Sequence, residues 1–259
     1  MSTPSGSSLD KALALLFAFA EPESQQRVFT VSALAGSLGM DKAQVSRVLA
    51  TFAKYGIVER LEGRAGYQLG WALVPLASRS LTAQTMSELY PELSLLSVEL
   101  GETVHFRVRE AATSVALATF EPDRALYVPV TTGRPEPLLG SAVGYAFLSR
   151  SETADVDVLL ESLGVGERAR IGGAKVVRAA VAEAAELDFA IVEDPDGEQV
   201  VTIAAPIFDI GNYHGRVYAV VALSAPLARF DAQRERIISR ILDVSRLGSR
   251  YLESKGSRA

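Results

Sequence analysis

Cysteine is absent from the 259 residues of this chain, and histidine occurs only twice, at His105 and His214. The absence of cysteine excludes disulfides, thiolate nucleophiles and cysteine-based zinc sites, and it fits a cytoplasmic protein. Two histidines far apart in the sequence make a poor metal cluster, so we expect neither a metal nor a cofactor. No Ser-His-Asp or paired-carboxylate arrangement stands out either, which argues against an enzyme.

Long hydrophobic runs are also lacking, so we expect no membrane partner. The stretch KALALLFAFA (11–20) could imitate a signal peptide, because it ends in a small-x-small pattern. However, only Lys11 supplies positive charge before it, and Leu13, Leu16 and Phe17 fit one helical face. We therefore interpret this stretch as a core helix of a soluble protein.

Charge is modest overall and unevenly divided. The formal net charge is -5, yet residues 1–80 contain a small excess of Lys and Arg over Asp and Glu. A length of 259 residues suggests two domains, and 48% hydrophobic with 22% charged residues predicts a packed globular chain. A basic segment on an acidic body is compatible with local nucleic-acid contact.

Residues 1–75 are predicted to form a winged helix-turn-helix domain, whose first eight residues (1–8) are a disordered lead-in. The predicted elements are helices at 8–19, 31–39 and 42–55 and strands at 57–61 and 67–69. Ser8, Thr30 and Asp41 are plausible N-caps, and Gly39 closes the middle helix. The tight turn SLGMD is typical of a helix-turn-helix, and the hairpin after it adds a wing. The alternative is a helical bundle without a ligand, but the order and spacing of the elements favour the winged motif.

The third predicted helix has the composition of a DNA recognition helix. Val45, Val48 and Leu49 face inward, while the first turns present short polar and basic groups to the major groove. Glutamine suits adenine, arginine suits guanine, and serine or threonine suits a base or a phosphate. Arginines that flank a wing turn commonly contact a phosphate or the minor groove. The predicted contacts with double-stranded DNA are Lys42, Gln44, Ser46, Arg47, Thr51, Arg60 and Arg64.

The rest of the chain is predicted to hold a linker helix at 76–90, broken near Pro91, and an α+β domain at 91–259. The predicted strands lie at 103–110, 114–120, 125–130, 189–194, 199–209 and 214–226, and the helices at 141–149, 153–164, 174–188 and 228–254. A run of strands, then helices, then strands indicates an α+β fold with an antiparallel sheet.

Three segments, SLDKALALLFAFAE, TVSALAGSLGMDKAQVSRVLATFAKYGIVER and YQLGWALVPLA, resemble the DNA-binding domain of IclR-type bacterial transcription regulators. PEPLLGSAVGYAFLS, VVTIAAPIFD and GRVYAVVALSAP resemble the effector-binding domain of the same family. The resemblance extends from about Ser8 to Tyr251. It implies a winged helix-turn-helix, a GAF-like effector domain, homodimers or homotetramers, and control of catabolic or biosynthetic operons.

The resemblance also implies an effector pocket. Its lining residues would be Leu126, Val128, Ser141, Ala142, Val143, Glu193, Val200, Thr202, Ala222 and Ser224. The chain departs from the family pattern at Leu139, where His is common, at Tyr145, where Lys is common, and at Thr202, where Cys is common. The loss of these groups indicates a more apolar pocket and an aromatic or semi-apolar effector. Ordinary sheet core is the alternative for the apolar residues, whereas the hydroxyls of Thr202 and Ser224 require hydrogen-bond partners.

Together these patterns predict a cytoplasmic transcription regulator, acting as a repressor on a pseudo-palindromic operator and responding to a small molecule. One alternative is an enzyme built on the α+β domain, and another is a ligand-binding adaptor without DNA binding. The scarcity of histidine and cysteine opposes the first. The intact face of Gln44, Ser46 and Arg47 opposes the second.

Overall fold

A computed structural model describes residues 7–20, 28–61, 65–194, 199–209 and 216–256. The chain divides into two compact units, Met1–Gln84 and Thr85–Ala259, and this division falls inside the predicted linker segment 76–90. Among the helices in these ranges, none is long and apolar enough to cross a membrane. The lead-in at 1–6 and the tip of the predicted wing at 62–64 lie outside the described residues.

The first unit has the helix-turn-helix order that the sequence predicts. Its elements are α1 (Ser8–Phe17), α2 (Val31–Leu38), α3 (Lys42–Lys54), β1 (Val58–Arg60), β2 (Tyr67–Leu69) and α4 (Leu73–Ala77), with a short 3-10 turn at Ala18–Ala20 after α1. β1 and β2 pair as an antiparallel hairpin. Ser7, rather than Ser8, caps α1, because its hydroxyl accepts a hydrogen bond from the Asp10 amide at 3.2 Å.

Local caps fix the turn between α2 and α3. Thr30 Oγ1 accepts a hydrogen bond from the Ala33 amide at 3.1 Å, and Gly39 ends α2 in the left-handed conformation, with φ 62°. Asp41 Oδ1 accepts hydrogen bonds from two backbone amides in the first turn of α3, at 2.9 and 3.1 Å. An N-cap of this kind stabilises a helix by about 1 kcal/mol. The predicted caps at Thr30, Gly39 and Asp41 are confirmed.

The core of the first unit is formed by one face each of α1, α2 and α3 together with β1. Its most buried side chains are Leu15, Leu34, Leu38, Val45, Leu49 and Val58. In α1 the inward face carries Leu15, whereas Leu13 and Phe17, which the sequence suggested for it, are exposed. Val45 and Leu49 are 0% exposed, so the predicted inward face of α3 is confirmed. Because that face packs on the core, the opposite face of α3 is directed outward.

Beyond residue 80 the chain alternates helical and stranded segments. The elements are α5 (Leu81–Leu100), β3 (Thr103–Glu110), β4 (Thr113–Phe120), β5 (Pro135–Pro137), α6 (Ala142–Leu148), α7 (Thr153–Glu161), α8 (Val165–Arg170), α9 (Gly173–Leu187), β6 (Ala190–Glu193), β7 (Val200–Phe208), β8 (Val217–Pro226), α10 (Leu227–Ala232) and α11 (Arg234–Gly256). The strands form one sheet in the order β5-β4-β3-β8-β7-β6, and every neighbouring pair is antiparallel. The predicted α+β class is confirmed.

Three expectations for these elements were wrong. α5 does not break at Pro91 but runs through it, with the proline exposed and without an amide to donate to the preceding turn. Residues 125–130 are not a strand, because β5 pairs with the edge of β4 and Pro129 has no amide to give to a ladder. The single closing helix is divided at Gln233 into α10 and α11.

The sheet of the second unit is covered on both faces. On one face, α6 and α9 pack over Ala204, Val220 and Ala222. The alternate residues of β7 face α11, where Gly248 lies close to Ile207. The middle strands β3, β8 and β7 are therefore buried from both sides. A polar side chain in the buried central part of these strands must find its partner inside the fold.

Candidate functional sites

The outward face of α3 is a stripe of small, hydroxyl and basic side chains. At helical spacing it consists of Ala43, Ser46, Arg47, Ala50, Thr51 and Lys54, all exposed. Of the residues predicted to contact DNA, Ser46, Arg47 and Thr51 lie within the stripe. Exposed Lys42 and half-buried Gln44 flank it on opposite sides. The prediction overlooked the two alanines and Lys54.

This stripe is suited to a close approach to DNA. Alanine keeps the helix surface low, and its methyl group can contact the methyl of thymine. In the part of the chain that the structure describes, neither Arg47 nor Lys54 forms an ion pair with a carboxylate. The Thr51 hydroxyl donates to the Arg47 carbonyl at 3.0 Å, which leaves its lone pairs available. The stripe therefore offers several short polar groups and two cations without a carboxylate partner among the described residues, of which Lys54 lies over the Tyr55 ring at 5.8 Å.

The hairpin supplies a second basic position. Arg60 is exposed and lies opposite Tyr67 in the β1–β2 register. Tyr67 in turn exchanges two backbone hydrogen bonds of 2.8 Å with Phe29, so the hairpin is anchored to the segment before α2. Arg64, the other arginine predicted for the wing, lies outside the described residues.

In the second unit, a row of three polar side chains crosses the middle of the sheet. Thr202 on β7 lies directly opposite Ser224 on β8, and their hydroxyl oxygens are 2.8 Å apart. Ser224 Oγ is also 3.2 Å from His105 Nε2 on β3. We call these three residues the polar row. Its side chains lie on the face covered by α6, as does the side chain of Ala222.

The polar row is buried at its histidine end and open at its threonine end. His105 is 2% exposed and Ser224 is 4% exposed, whereas Thr202 is half-buried. Burial lowers the pKa of His105 to about 3, and the charge of Arg107 acts in the same direction, so the imidazole is neutral. The other ring nitrogen, Nδ1, has no hydrogen-bond partner among the described residues.

Arg107 lies on the same face as His105, and its charge is already paired. Its side chain is 1% exposed, with Nη1 2.8 Å from Glu136 of β5 and Nε donating to Ser114 Oγ at 3.2 Å. Burial lowers the pKa of Arg107, while the Glu136 charge acts against this shift. Arg107 is therefore a structural partner of the edge strand rather than a free cation for a ligand.

The segment 125–130 is not a strand, yet it is held against β3 and α10. Thr103 Oγ1 donates to the Val128 carbonyl at 2.6 Å. Arg229 donates to the Leu126 carbonyl at 3.1 Å and is itself held by the buried Glu102 carboxylate at 2.6 Å. The backbone of this segment is thus fixed near the polar row, while the Leu126 side chain is 70% exposed.

The start of α6 closes the other side of this face. Ser141 caps the helix, with its hydroxyl accepting from the Gly144 amide at 3.0 Å, and Ala142 and Val143 are buried. A side chain at Gly144 would collide with the Leu138 carbonyl, since a Cβ there would lie 1.6 Å from the oxygen. Glycine at this position lets the helix start close to the preceding turn.

The structure therefore brings together part of the predicted pocket. Val143 and Ala222 belong to the face of the polar row, and strand alternation places Val200 there as well. Glu193 is different: it pairs with Val201 and lies exposed at the end of β6, on the opposite face from Thr202. Of the residues that depart from the family pattern, Leu139 and Tyr145 are buried in the core around α6.

Comparison with known proteins gives matches over both units. The family model described as IclR helix-turn-helix domain matches residues 8–62, and the model described as Bacterial transcriptional regulator IclR C-terminal matches residues 81–250. HTH-type transcriptional regulator XynR of Escherichia coli K12 is 23% identical over 229 residues, which are 86% of this chain and 88% of XynR. The glycerol operon regulatory protein of Streptomyces coelicolor is 26% identical over 253 residues, which are 95% and 96% of the two chains.

Solved structures share the fold. An IclR homologue from Microbacterium hydrocarbonoxydans, crystallised with 4-hydroxybenzoate, superposes with a TM-score of 0.80 at 18% identity, covering 96% of this chain and 100% of the homologue. At that level of identity the likeness concerns the fold alone.

The exposed stripe of α3 yields a prediction. Arg47→Ala should weaken binding to cognate DNA by about 1–3 kcal/mol, since a bidentate contact with a base contributes about that much. Fluorescence anisotropy with labelled DNA measures the change. Arg79→Ala is the matched control, because it removes the same charge from an exposed position outside α3. Equal losses in both variants would contradict a special role for Arg47.

Proposed function

Because the chain belongs to the IclR family of bacterial transcription regulators, we propose that it is a cytoplasmic repressor that binds a pseudo-palindromic operator and whose operator affinity responds to a small organic, aromatic effector. The observation that carries this proposal is the exposed stripe of α3, whose cations have no carboxylate partner among the described residues. Readout of the major groove requires exposed cations and short polar groups on a well-fixed helix, and α3 provides them behind an N-cap at Asp41.

Within this proposal, Ser46 and Arg47 read bases from the stripe, and Gln44 reads one from its edge. Lys42, Thr51 and Lys54 contact phosphates, which position the helix without reading sequence. Arg60, with Arg64, adds contacts from the hairpin. An enzyme, or a ligand-binding adaptor without DNA binding, would not require α3 to expose small side chains together with cations that have no carboxylate partner.

We propose that the protein acts as a homodimer, or a homotetramer built from it, in which α1 contributes to self-association. Leu9, Leu13 and Phe17 recur every four residues on one face of α1, and they are 66%, 44% and 66% exposed. An exposed apolar stripe of this kind is typical of a surface that binds another protein. A second copy is the partner that a pseudo-palindromic operator requires, because each half-site is read by one recognition helix.

The effector is proposed to bind on the α6 face of the second unit, between the start of α6 and the segment 125–130. Val143 and Ala222 would form apolar walls, and the polar row would supply hydrogen bonds through Thr202. An aromatic ring with one polar substituent suits such a site. A relative of the same fold binds 4-hydroxybenzoate, which makes this compound the first ligand to test.

Binding to DNA from upstream of the chain's own gene tests the proposed function. We expect tight binding relative to unrelated DNA of equal length, weakening on the order of 10³-fold between about 50 and 200 mM salt because phosphate contacts release counterions. Fluorescence anisotropy measures both quantities, and 4-hydroxybenzoate can be titrated into the same complex. No binding to any DNA at low salt would contradict the proposal and favour the adaptor or the enzyme.

The α1 interface gives a separate prediction. Leu9→Glu places a charge in the proposed interface, so the dimer should dissociate at concentrations where the wild type remains paired, and operator binding should weaken with it. Sedimentation velocity measures the assembly state. Val158→Glu on α7 is the matched control, since Val158 is also 66% exposed. A Leu9→Glu variant that sediments like the wild type would exclude α1 from the interface.

A further inference from the structure

The polar row can hold its hydrogens in two arrangements. The neutral imidazole of His105 carries one N–H and one lone pair, and Ser224 and Thr202 each carry one hydroxyl hydrogen. Ser224 Oγ lies between the other two residues, 3.2 Å from His105 Nε2 and 2.8 Å from Thr202 Oγ1. The direction in which Ser224 donates therefore fixes the direction of the whole row.

In the first arrangement, hydrogen bonds run outward. His105 Nε2–H donates to Ser224, Ser224 donates to Thr202, and the Thr202 hydroxyl hydrogen is left for a ligand. In the second arrangement, hydrogen bonds run inward. Thr202 donates to Ser224, Ser224 donates to His105 Nε2, and the imidazole hydrogen must then sit on Nδ1.

The environment of Nδ1 distinguishes the two arrangements. This atom is buried and has no partner among the residues that the structure describes. The inward arrangement would leave a buried N–H without an acceptor, whereas the outward arrangement leaves only a lone pair unused. Unpaired buried donors are rarer in proteins than unused lone pairs of acceptors. The outward arrangement is therefore favoured.

We infer that His105 is a positioning residue that fixes the hydrogen-bond direction of the polar row, so that Thr202 donates its hydroxyl hydrogen to the effector and selects a ligand carrying an oxygen acceptor such as a carboxylate. This inference rests on the proposed effector site. Beyond that site, it specifies that the ligand group bound by Thr202 is an oxygen acceptor. A ligand offering only N–H donors at that position could reach only the remaining lone pair of Thr202 Oγ1, and it would leave the Thr202 hydroxyl hydrogen without an acceptor.

The tautomer of His105 is the first test, and it needs no ligand. The chain has two histidines, so a protein with ¹⁵N-labelled histidine gives two imidazole spin systems, and His214→Gln identifies which one belongs to His105. Long-range ¹H–¹⁵N correlation spectra distinguish the tautomers. A hydrogen on Nε2 and a lone pair on Nδ1 are expected. A hydrogen on Nδ1 would overturn the inference.

Ligand selectivity is the second test, measured by calorimetry with 4-hydroxybenzoate and 4-hydroxybenzylamine. The wild type should bind the carboxylate more tightly than the amine. Ser224→Ala interrupts the row and leaves the Thr202 hydroxyl free to turn, so the ratio of the two dissociation constants should fall about tenfold. Ser224→Thr keeps a hydroxyl and should restore the ratio. Equal binding of both compounds by the wild type would overturn the inference.

A control variant distinguishes the effect of hydrogen-bond direction in the polar row from the general effect of losing a buried hydroxyl. Ser114→Ala also removes a buried hydroxyl from the sheet, but Ser114 pairs with Arg107 and not with the polar row. Ser114→Ala should leave the ratio of the two dissociation constants unchanged. A fall equal to that in Ser224→Ala would contradict the role of the polar row in ligand selectivity. Failure of the proposed function would give a different result. The ligands would bind with the expected selectivity, but their addition would not change the affinity of the protein for its operator.

Discussion

Desolvation of polar groups on a sheet covered from both sides is the constraint on which the second unit depends. The central parts of β3, β8 and β7 are covered on both faces, so the polar side chains buried there must pair with each other or with the backbone. Arg107 pairs with Glu136 and thereby fixes the edge strand β5. Buried Glu102 holds Arg229, which in turn holds the segment 125–130. Pairing inside the sheet thus shapes the surroundings of the proposed effector site.

The first unit follows the opposite rule. Its apolar faces pack together, and its backbone ends are satisfied by Thr30 and Asp41, but the side chains along the outer face of α3 are left exposed. Cations without carboxylate partners keep their full attraction for an external anion. The second unit therefore pairs the buried polar side chains of its sheet with each other. The first unit leaves the polar and basic side chains of α3 exposed, where another molecule can bind them.

Features set by neighbouring residues were predictable from the sequence, and features set by distant ones were not. The caps Thr30 and Asp41 depend on residues two or three positions away, so their pattern was sufficient. Residues 125–130 have the composition of a strand, but the place they would take beside β4 belongs to Pro135–Pro137, which only the folded sheet reveals. The break expected at Pro91 is likewise absent from the long helix α5.

The candidate site shows the same limit. Alternation in β3 places Thr103, His105 and Arg107 on one face, a signal that was present in the sequence but was not connected to Ser224. That connection depends on β3 and β8 becoming neighbours although their residues are 119 positions apart. Glu193 also depends on register, because pairing with Val201 places it on the opposite face from Thr202. The pairing register between strands that are distant in the sequence could therefore not be predicted from sequence patterns.

The most direct test of the central claim, that α3 lies against the operator, uses the absence of cysteine from the chain. Lys54→Cys places a unique thiol at the end of the exposed stripe, to which an iron–EDTA group can be attached, and Val176→Cys on α9 provides an exposed control. The account predicts strand cleavage within both half-sites of the bound operator from position 54 and none from position 176. A tight operator complex that is not cleaved from position 54 would contradict it.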